Sequence, residues 1–231
     1  MNTLVSFSLT SLLRLAIKPG MNSNKDKSPD SRSSRELWLS AAFEALVQNG
    51  VGAVKIQPLA EQLKLSRTSF YWYFKDRKAL LAALIEEWNH KNTGGLTAAS
   101  EAYAESLAEA VLNVISAFLD PNQFDSKLDF AIRSWALQDP DVMEEVRIAD
   151  EVRLQALTAM FEKHGYDSHD ADVRARTIYL VQIGYISMQV QEDLATRMAR
   201  IPNYVATYTG QQPTPNEIAR FHARHHFVPE S

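Results

Sequence analysis

The chain contains no cysteine. It therefore has no disulfide framework and no thiolate metal site, which is compatible with a reducing, cytoplasmic setting. Glycine and proline are scarce, 8 and 9 of 231 residues, which suits long helices better than short strands joined by turns. No segment shows convincing strand alternation, and no internal repeat is visible. The apolar-leaning run Leu4–Ile17 is interrupted by Arg14 and is too short to span a bilayer. Met1–Thr3 offers no charged region of the kind that opens a signal sequence, so no membrane role is expected, and Met21 is an alternative start to Met1. There is no nucleophile–base constellation, glycine-rich phosphate loop or HExxH helix. Enzymatic activity is therefore disfavoured, and no cofactor or catalytic residue is expected.

What is present is enough apolar content, 45% of residues, to bury a substantial core. The net charge of −4 is unevenly distributed. Residues 25–92 hold 11 Lys/Arg against 8 Asp/Glu, whereas residues 93–231 hold 11 against 20. One end of the molecule is thus mildly basic, and the rest is acidic enough to be repelled by phosphates. This asymmetry suits contact with nucleic acid through one end only.

Residues 56–74, IQPLAEQLKLSRTSFYWYF, carry the strongest signal. Leu59, Ala60 and Leu63 share one helical face, and Leu65, Phe70 and Tyr73 continue the apolar pattern after a break. Pro58 fits a first helical turn, and Ser66 can cap a second helix. Two short helices joined by a tight turn form a helix-turn-helix, whose second helix enters the major groove. Lys64 stands where such turns often carry glycine and must adopt the turn conformation at some cost. Arg67, Thr68, Ser69 and Trp72 then face outward. Thr and Ser hydroxyls can bond base edges, Arg can grip a guanine or a phosphate, and the Tyr71 hydroxyl suits a phosphate. Lys55, Gln57, Ser66 and Lys75 complete the candidate DNA-facing set, while the bland alternative is a pair of packed core helices.

The continuation SFYWYFKDRKALLAALIEEW resembles the junction between recognition helix and fourth helix in the tetracycline-repressor (TetR) family. That junction runs from a tyrosine and a phenylalanine through a short turn to a basic residue and a leucine. Tyr71, Phe74, Arg77 and Leu80 occupy those places, with Arg77 where the family usually has lysine. The resemblance covers residues 33–92. It implies that Tyr71 and Arg77 hold phosphates and that Thr68, Ser69 and Trp72 approach the bases. It also implies an effector cavity in the C-terminal part whose occupancy moves the head.

The expected architecture is all-α. Residues 1–32 read as a disordered or misassigned extension, in which Lys25, Lys27 and Arg32 could brush phosphates. Residues 33–92 form the DNA-binding head with its connecting helix, 93–213 a helical ligand-binding and dimerisation domain, and 214–231 a short terminal helix and tail. Ser33 with Glu36 reads as a capping box opening the first helix, which Gly50 ends. Asp76 caps the connecting helix, and Asn92–Gly95 is expected to stop it. Further helices are expected at 98–119, 126–138, 140–163 and 169–194, with 195–213 ambiguous and a last helix at 215–227 opened by Thr214.

In the second domain, mixed aromatic and polar residues are the best effector-binding candidates: Tyr103, Arg133, Trp135, Tyr179, Gln182 and Met188. With no dense charge cluster on these faces, an uncharged or weakly charged hydrophobic effector is expected. A homodimer would read two half-sites of a double-stranded operator. Its interface is expected on the helices at 140–163 and 169–194, with Tyr179, Leu180, Ile183, Gly184 and Ser187 facing the partner. His222, His225 and His226 lie near one helical face, but no carboxylate completes a metal set. The function expected is a ligand-responsive repressor. The alternatives are a ligand-independent activator or architectural protein, and a small-molecule-binding protein with a vestigial head.

Overall fold

The computed structural model describes residues 29–229. The run Leu4–Ile17, Lys25 and Lys27 lie outside the described residues, as does the side chain of Arg32. Every regular element among them is helical. The order is α1 (Pro29–Asn49), α2 (Ile56–Leu63), α3 (Arg67–Phe70), α4 (Arg77–Trp88), α5 (Gly94–Glu101), α6 (Leu107–Leu119), α7 (Ser126–Ala136), α8 (Pro140–Lys163), α9 (Ser168–Ser187), α10 (Leu194–Thr209) and α11 (Pro215–Arg224).

Short polar side chains set most helix starts. Ser66, Asp76, Ser106, Asp125, Asp139, Asp167 and Asp193 each accept a backbone N–H of the first turn that has no helical partner. Thr214 and Glu217 form a reciprocal capping box with Pro215 at the first position, as the sequence predicts. The expected boundary at Gly50 also holds; its φ of 75° lies in the region that glycine enters without steric cost.

Several boundaries differ from the sequence reading. First, α1 begins at Pro29, so Ser33 lies within the helix rather than at its start. Second, Asn92–Gly95 does not stop the connecting helix. A π-helical turn, Asn89–Thr93, carries it straight into α5. Asn92 and Thr93 are buried and satisfied by distant partners, and Gly95 provides room: a Cβ there would collide with the carbonyl oxygen of Gln123. Third, the helix expected at 98–119 is broken between Glu101 and Leu107, and the one expected at 169–194 ends at Ser187. Fourth, the ambiguous stretch after 194 is a regular helix, α10, which tolerates Pro202 in its interior.

Two buried clusters hold the molecule together. One joins the head (Trp38, Leu59, Phe70, Leu80, Leu84, Trp88) to Leu128, Ile132 and Trp135 of α7 and Val142 and Val146 of α8. The other joins α5, α6, the distal half of α8, α9, α10 and Phe221 of α11. Helix α7 packs against α1, α4, α8 and α9 and so links the head to the body.

Candidate nucleic-acid interface

The reading surface is built on the turn between α2 and α3. Lys64 adopts φ 55°, ψ 35°, the left-handed conformation anticipated for it. This lets the Leu65 N–H return to the Ala60 carbonyl at 3.0 Å and closes α2. The Ser66 hydroxyl accepts from the Ser69 N–H at 3.2 Å, and the Ser69 hydroxyl donates to the Ser66 carbonyl at 2.7 Å. Ser69 is thus half-buried and occupied with the cap.

Phe70 orients the short helix. It is fully buried, meets Trp38 edge-on at 5.2 Å and packs on Phe74 at 5.4 Å. With that side anchored, Arg67, Thr68, Tyr71 and Trp72 project into solvent, and Trp72 is 74% exposed. Packing of the fold gives no reason for a large aromatic so exposed beside polar groups. Lys55, Gln57 and Lys75 are also exposed, with Gln57 donating to Glu61 at 2.6 Å. Among the described residues no carboxylate pairs with Lys55, Arg67 or Lys75. The acid next to Lys75, Asp76, accepts the Ala79 N–H at 2.8 Å. The surface therefore presents net positive charge beside hydroxyls and an indole.

Arg77 differs from the expected phosphate grip. It is half-buried, and its Nε and Nη2 donate to the carbonyls of Val54 and Val51 at 2.5 and 2.7 Å. It fastens the 3-10 turn Val51–Ala53 to the start of α4 and so positions α2.

A buried polar network beneath the π-helical turn was missed by sequence reasoning. Asp129 Oδ1 accepts the Trp88 indole N–H at 2.9 Å and Arg153 Nη1 at 3.1 Å, while Oδ2 accepts Arg133 Nε at 2.7 Å. Arg133 also grips Asp150 with both terminal nitrogens. The Tyr179 hydroxyl donates to Asp150 at 2.6 Å and accepts from both arginines. Arg153 reaches Thr93 at 3.0 Å, and its guanidinium lies over the rings of Trp88 and Phe124. Asn92 accepts the Asp125 N–H at 2.9 Å. Burial alone would raise the Asp129 carboxyl, but Arg153 and Arg133 hold it below the usual carboxylate range. Burial raises the Tyr179 hydroxyl, which remains a neutral donor. The only sequence traces of this network are the spacings Asp129/Arg133 and Asp150/Arg153, which surface ion pairs show equally.

These contacts revise the effector-binding set. Arg133 and Tyr179 belong to the network. Trp135 packs in the head-side core, with its indole N–H on Asp139 at 3.1 Å. Tyr103 and Met188 are 83% and 78% exposed, and neither lines the cavity in which Gln182 sits. That cavity, about 450 Å³, is lined by Gln182 together with residues outside that candidate set: Val47 of α1, Lys127 and Phe130 of α7, Tyr185 and Ile186 of α9, and Arg197 of α10. Of the expected interface residues, Tyr179 points inward, Ile183 and Gly184 are half-buried, and Leu180 and Ser187 are exposed. Ile148 and Val152 of α8 and Val173 of α9 add exposed apolar side chains to these two helices. At the chain's end, His225 shares a hydrogen bond with the Ser116 hydroxyl at 2.9 Å, and His222 packs on Phe227. No helix of the described residues is long and apolar enough to cross a membrane.

Residues 39–84 match the family model of bacterial regulatory proteins of the tetR family. Class D tetracycline repressor protein of Escherichia coli is 30% identical over 90 residues, which are 38% of this chain and 41% of that protein. The class G protein of Vibrio anguillarum is 32% identical over 82 residues, 35% of this chain and 39% of that one. The chain thus spans about two fifths of the length of these relatives. Among solved structures, Salmonella enterica GusR aligns with a TM-score of 0.59 at 20% identity, covering 87% of this chain and 98% of that one. Mycobacterium smegmatis AmtR aligns with the same TM-score of 0.59 at 15% identity, covering 91% and 100%. At these identities the structures establish the shared all-helical fold. The match to the tetR family of bacterial regulatory proteins lies within the head.

Proposed function

We propose that this TetR-family chain is a DNA-binding transcriptional regulator, a ligand-responsive repressor that clasps a near-palindromic operator as a cytoplasmic homodimer. The observation that carries the reading is the construction of α3. Phe70 is buried to fix its roll, while Thr68, Tyr71 and Trp72 are left exposed, with the Tyr71 ring edge-on to Phe70 at 5.3 Å. Lys55, Arg67 and Lys75 supply the phosphate-directed charge, and Arg77 acts one step back by positioning the motif. Dimerisation through the outer faces of α8 and α9 would cover Ile148, Val152 and Leu180, which monomeric burial leaves exposed.

The cavity favours a ligand-responsive protein over a ligand-independent one. Its volume lies within the roughly 300–1,000 Å³ typical of small-molecule sites. Helix α7 lines it with Phe130 and, from the same helix, holds Trp88 through Asp129. A ligand that binds one position of α7 better than another shifts the head in proportion to that difference in affinity.

Fluorescence anisotropy on random-sequence duplex DNA tests the head directly. Affinity should fall steeply with salt. Replacing Lys55, Arg67 and Lys75 by glutamine should reduce the logarithmic salt slope by about 1 per residue in each head. Salt-independent binding, or none at low salt, would remove the DNA reading.

A further inference from the structure

We infer that the cavity between α1, α7, α9 and α10 takes an organic anion, one acidic head group on an apolar, ring-sized body. The inference rests on the reading of this cavity as an effector site and narrows the expectation of an uncharged or weakly charged hydrophobic effector to one with a single anionic group.

The lining contains two cations, Lys127 and Arg197, and no aspartate or glutamate. That runs against composition, because residues 93–231 hold 20 acidic side chains against 11 basic ones. Glu192, adjacent to the lining residue Gln191, is paired with Arg200. Among the described residues neither Lys127 nor Arg197 has a carboxylate partner. Arg197 is nevertheless held in place. Its Nη2 donates to the Gln182 side-chain oxygen at 3.3 Å, and its guanidinium lies 5.0 Å from the centre of the Tyr185 ring. Tyr185 is fixed in turn by a 2.8 Å hydrogen bond with Tyr204.

An arginine oriented by neutral partners keeps donors in reserve, and its planar fork matches a carboxylate or sulfonate in two-point contact. Phe118, Phe130, Ile186, Val190 and Val47 form an apolar side of the remaining wall, and Ser126, Gln189 and Gln191 add neutral polar groups. Val47 belongs to the first helix of the head, so an occupant would touch the DNA-reading unit itself. An apolar body with a single anionic end satisfies both halves of this lining. A neutral hydrophobe leaves Arg197 unanswered.

The test uses two matched fluorescent probes, anilinonaphthalenesulfonate and its sulfonate-free counterpart phenylnaphthylamine, with the full chain and no DNA. The sulfonate should bind at least about tenfold more tightly, the equivalent of one good charge-assisted contact. Arg197→Gln and, at an exposed position that cannot disturb folding, Lys127→Gln should each weaken the sulfonate about five- to tenfold while leaving the neutral probe unchanged. Equal binding of the two probes, no binding of the sulfonate, or sulfonate affinity unaffected by both substitutions would overturn the assignment. A separate titration on DNA distinguishes this from the wider reading. If the sulfonate binds as described but leaves DNA affinity unmoved, the anion site stands and its effector role falls.

Discussion

Arg153 and Asp129, both with fully buried side chains, meet at 3.1 Å beneath the π-helical turn that carries the connecting helix into the body. Trp88, the last residue of α4, shares the same carboxylate oxygen. The end of the head's connecting helix is therefore tied to α7 and α8 by an ion pair in a desolvated setting. Removing one partner strands the other. Asp129→Ala should cost about 3–5 kcal/mol in urea denaturation. Joint replacement by Asp129→Leu and Arg153→Met should recover part of that loss, because Arg133 keeps Asp150 and no buried charge is left unpaired, although the Trp88 indole N–H still loses its acceptor. A cost for Asp129→Ala below about 1 kcal/mol, the scale of a surface pair, would contradict this account.

The two adjacent glycines of α5 should respond in opposite directions. Gly94 has helical dihedrals and open space where a Cβ would sit, so Gly94→Ala should stabilise by about 0.4–1 kcal/mol. Gly95 faces the Gln123 carbonyl, and Gly95→Ala should destabilise by about 1–3 kcal/mol as the 120–124 turn is forced outward. Thermal melts of the two variants decide this. Similar shifts for both would mean that the close approach is not a constraint.

This pair shows where the sequence was legible and where it was not. Caps at Ser66, Asp76 and Thr214 were readable because a cap is a local bond between residues three apart. The strained turn at Lys64 was readable for the same reason. Asn92–Gly95 misled because glycine after polar residues is also the signature of a helix end. Here Asn92 answers the start of α7, Thr93 answers Arg153 of α8, and the glycine answers a loop 28 residues away, Gln123. Arg133 and Tyr179 looked like ligand-binding residues since nothing local reveals that Asp129, Asp150 and Arg153 converge on them. Lys127 and Arg197 escaped notice because they are 70 positions apart and only the fold brings them to one cavity.

Arg77 provides a test of positioning against contact. Arg77→Ala should loosen the turn at Val51–Ala53 and cost about 1.5–3 kcal/mol, the range for hydrogen bonds to a charged donor. Arg77→Lys should restore only part, because an ammonium cannot span both carbonyls in the same geometry. Faster amide exchange in residues 51–56 of the free protein would confirm the positioning role. Unchanged exchange and stability, with a reduced salt slope on DNA, would instead make Arg77 a phosphate contact.

The docking of α11 should depend on pH. Burial, then the neighbouring Arg224, lower the His225 imidazole below its ordinary value, against a smaller opposing pull from Asp120; His222 and His226 add to the lowering. The unfolded chain therefore takes up this proton more readily. The stabilising contribution is complete above about pH 6.5 and is lost as pH falls through the lower folded-state value. Melting temperature should drop between pH 7.5 and 5.5, and His225→Gln should flatten part of that drop. An identical pH profile in the variant would place the titration elsewhere.

The most direct test of the central claim is selection of bound sequences from random duplex DNA by the purified full chain. The account predicts enrichment of one near-palindromic site, with half-sites one helical turn or a multiple of it apart, bound by two chains and lost in a Thr68→Ala, Trp72→Ala variant whose melting temperature is unchanged. A selection that enriches no sequence, or one that the variant reproduces, would contradict it.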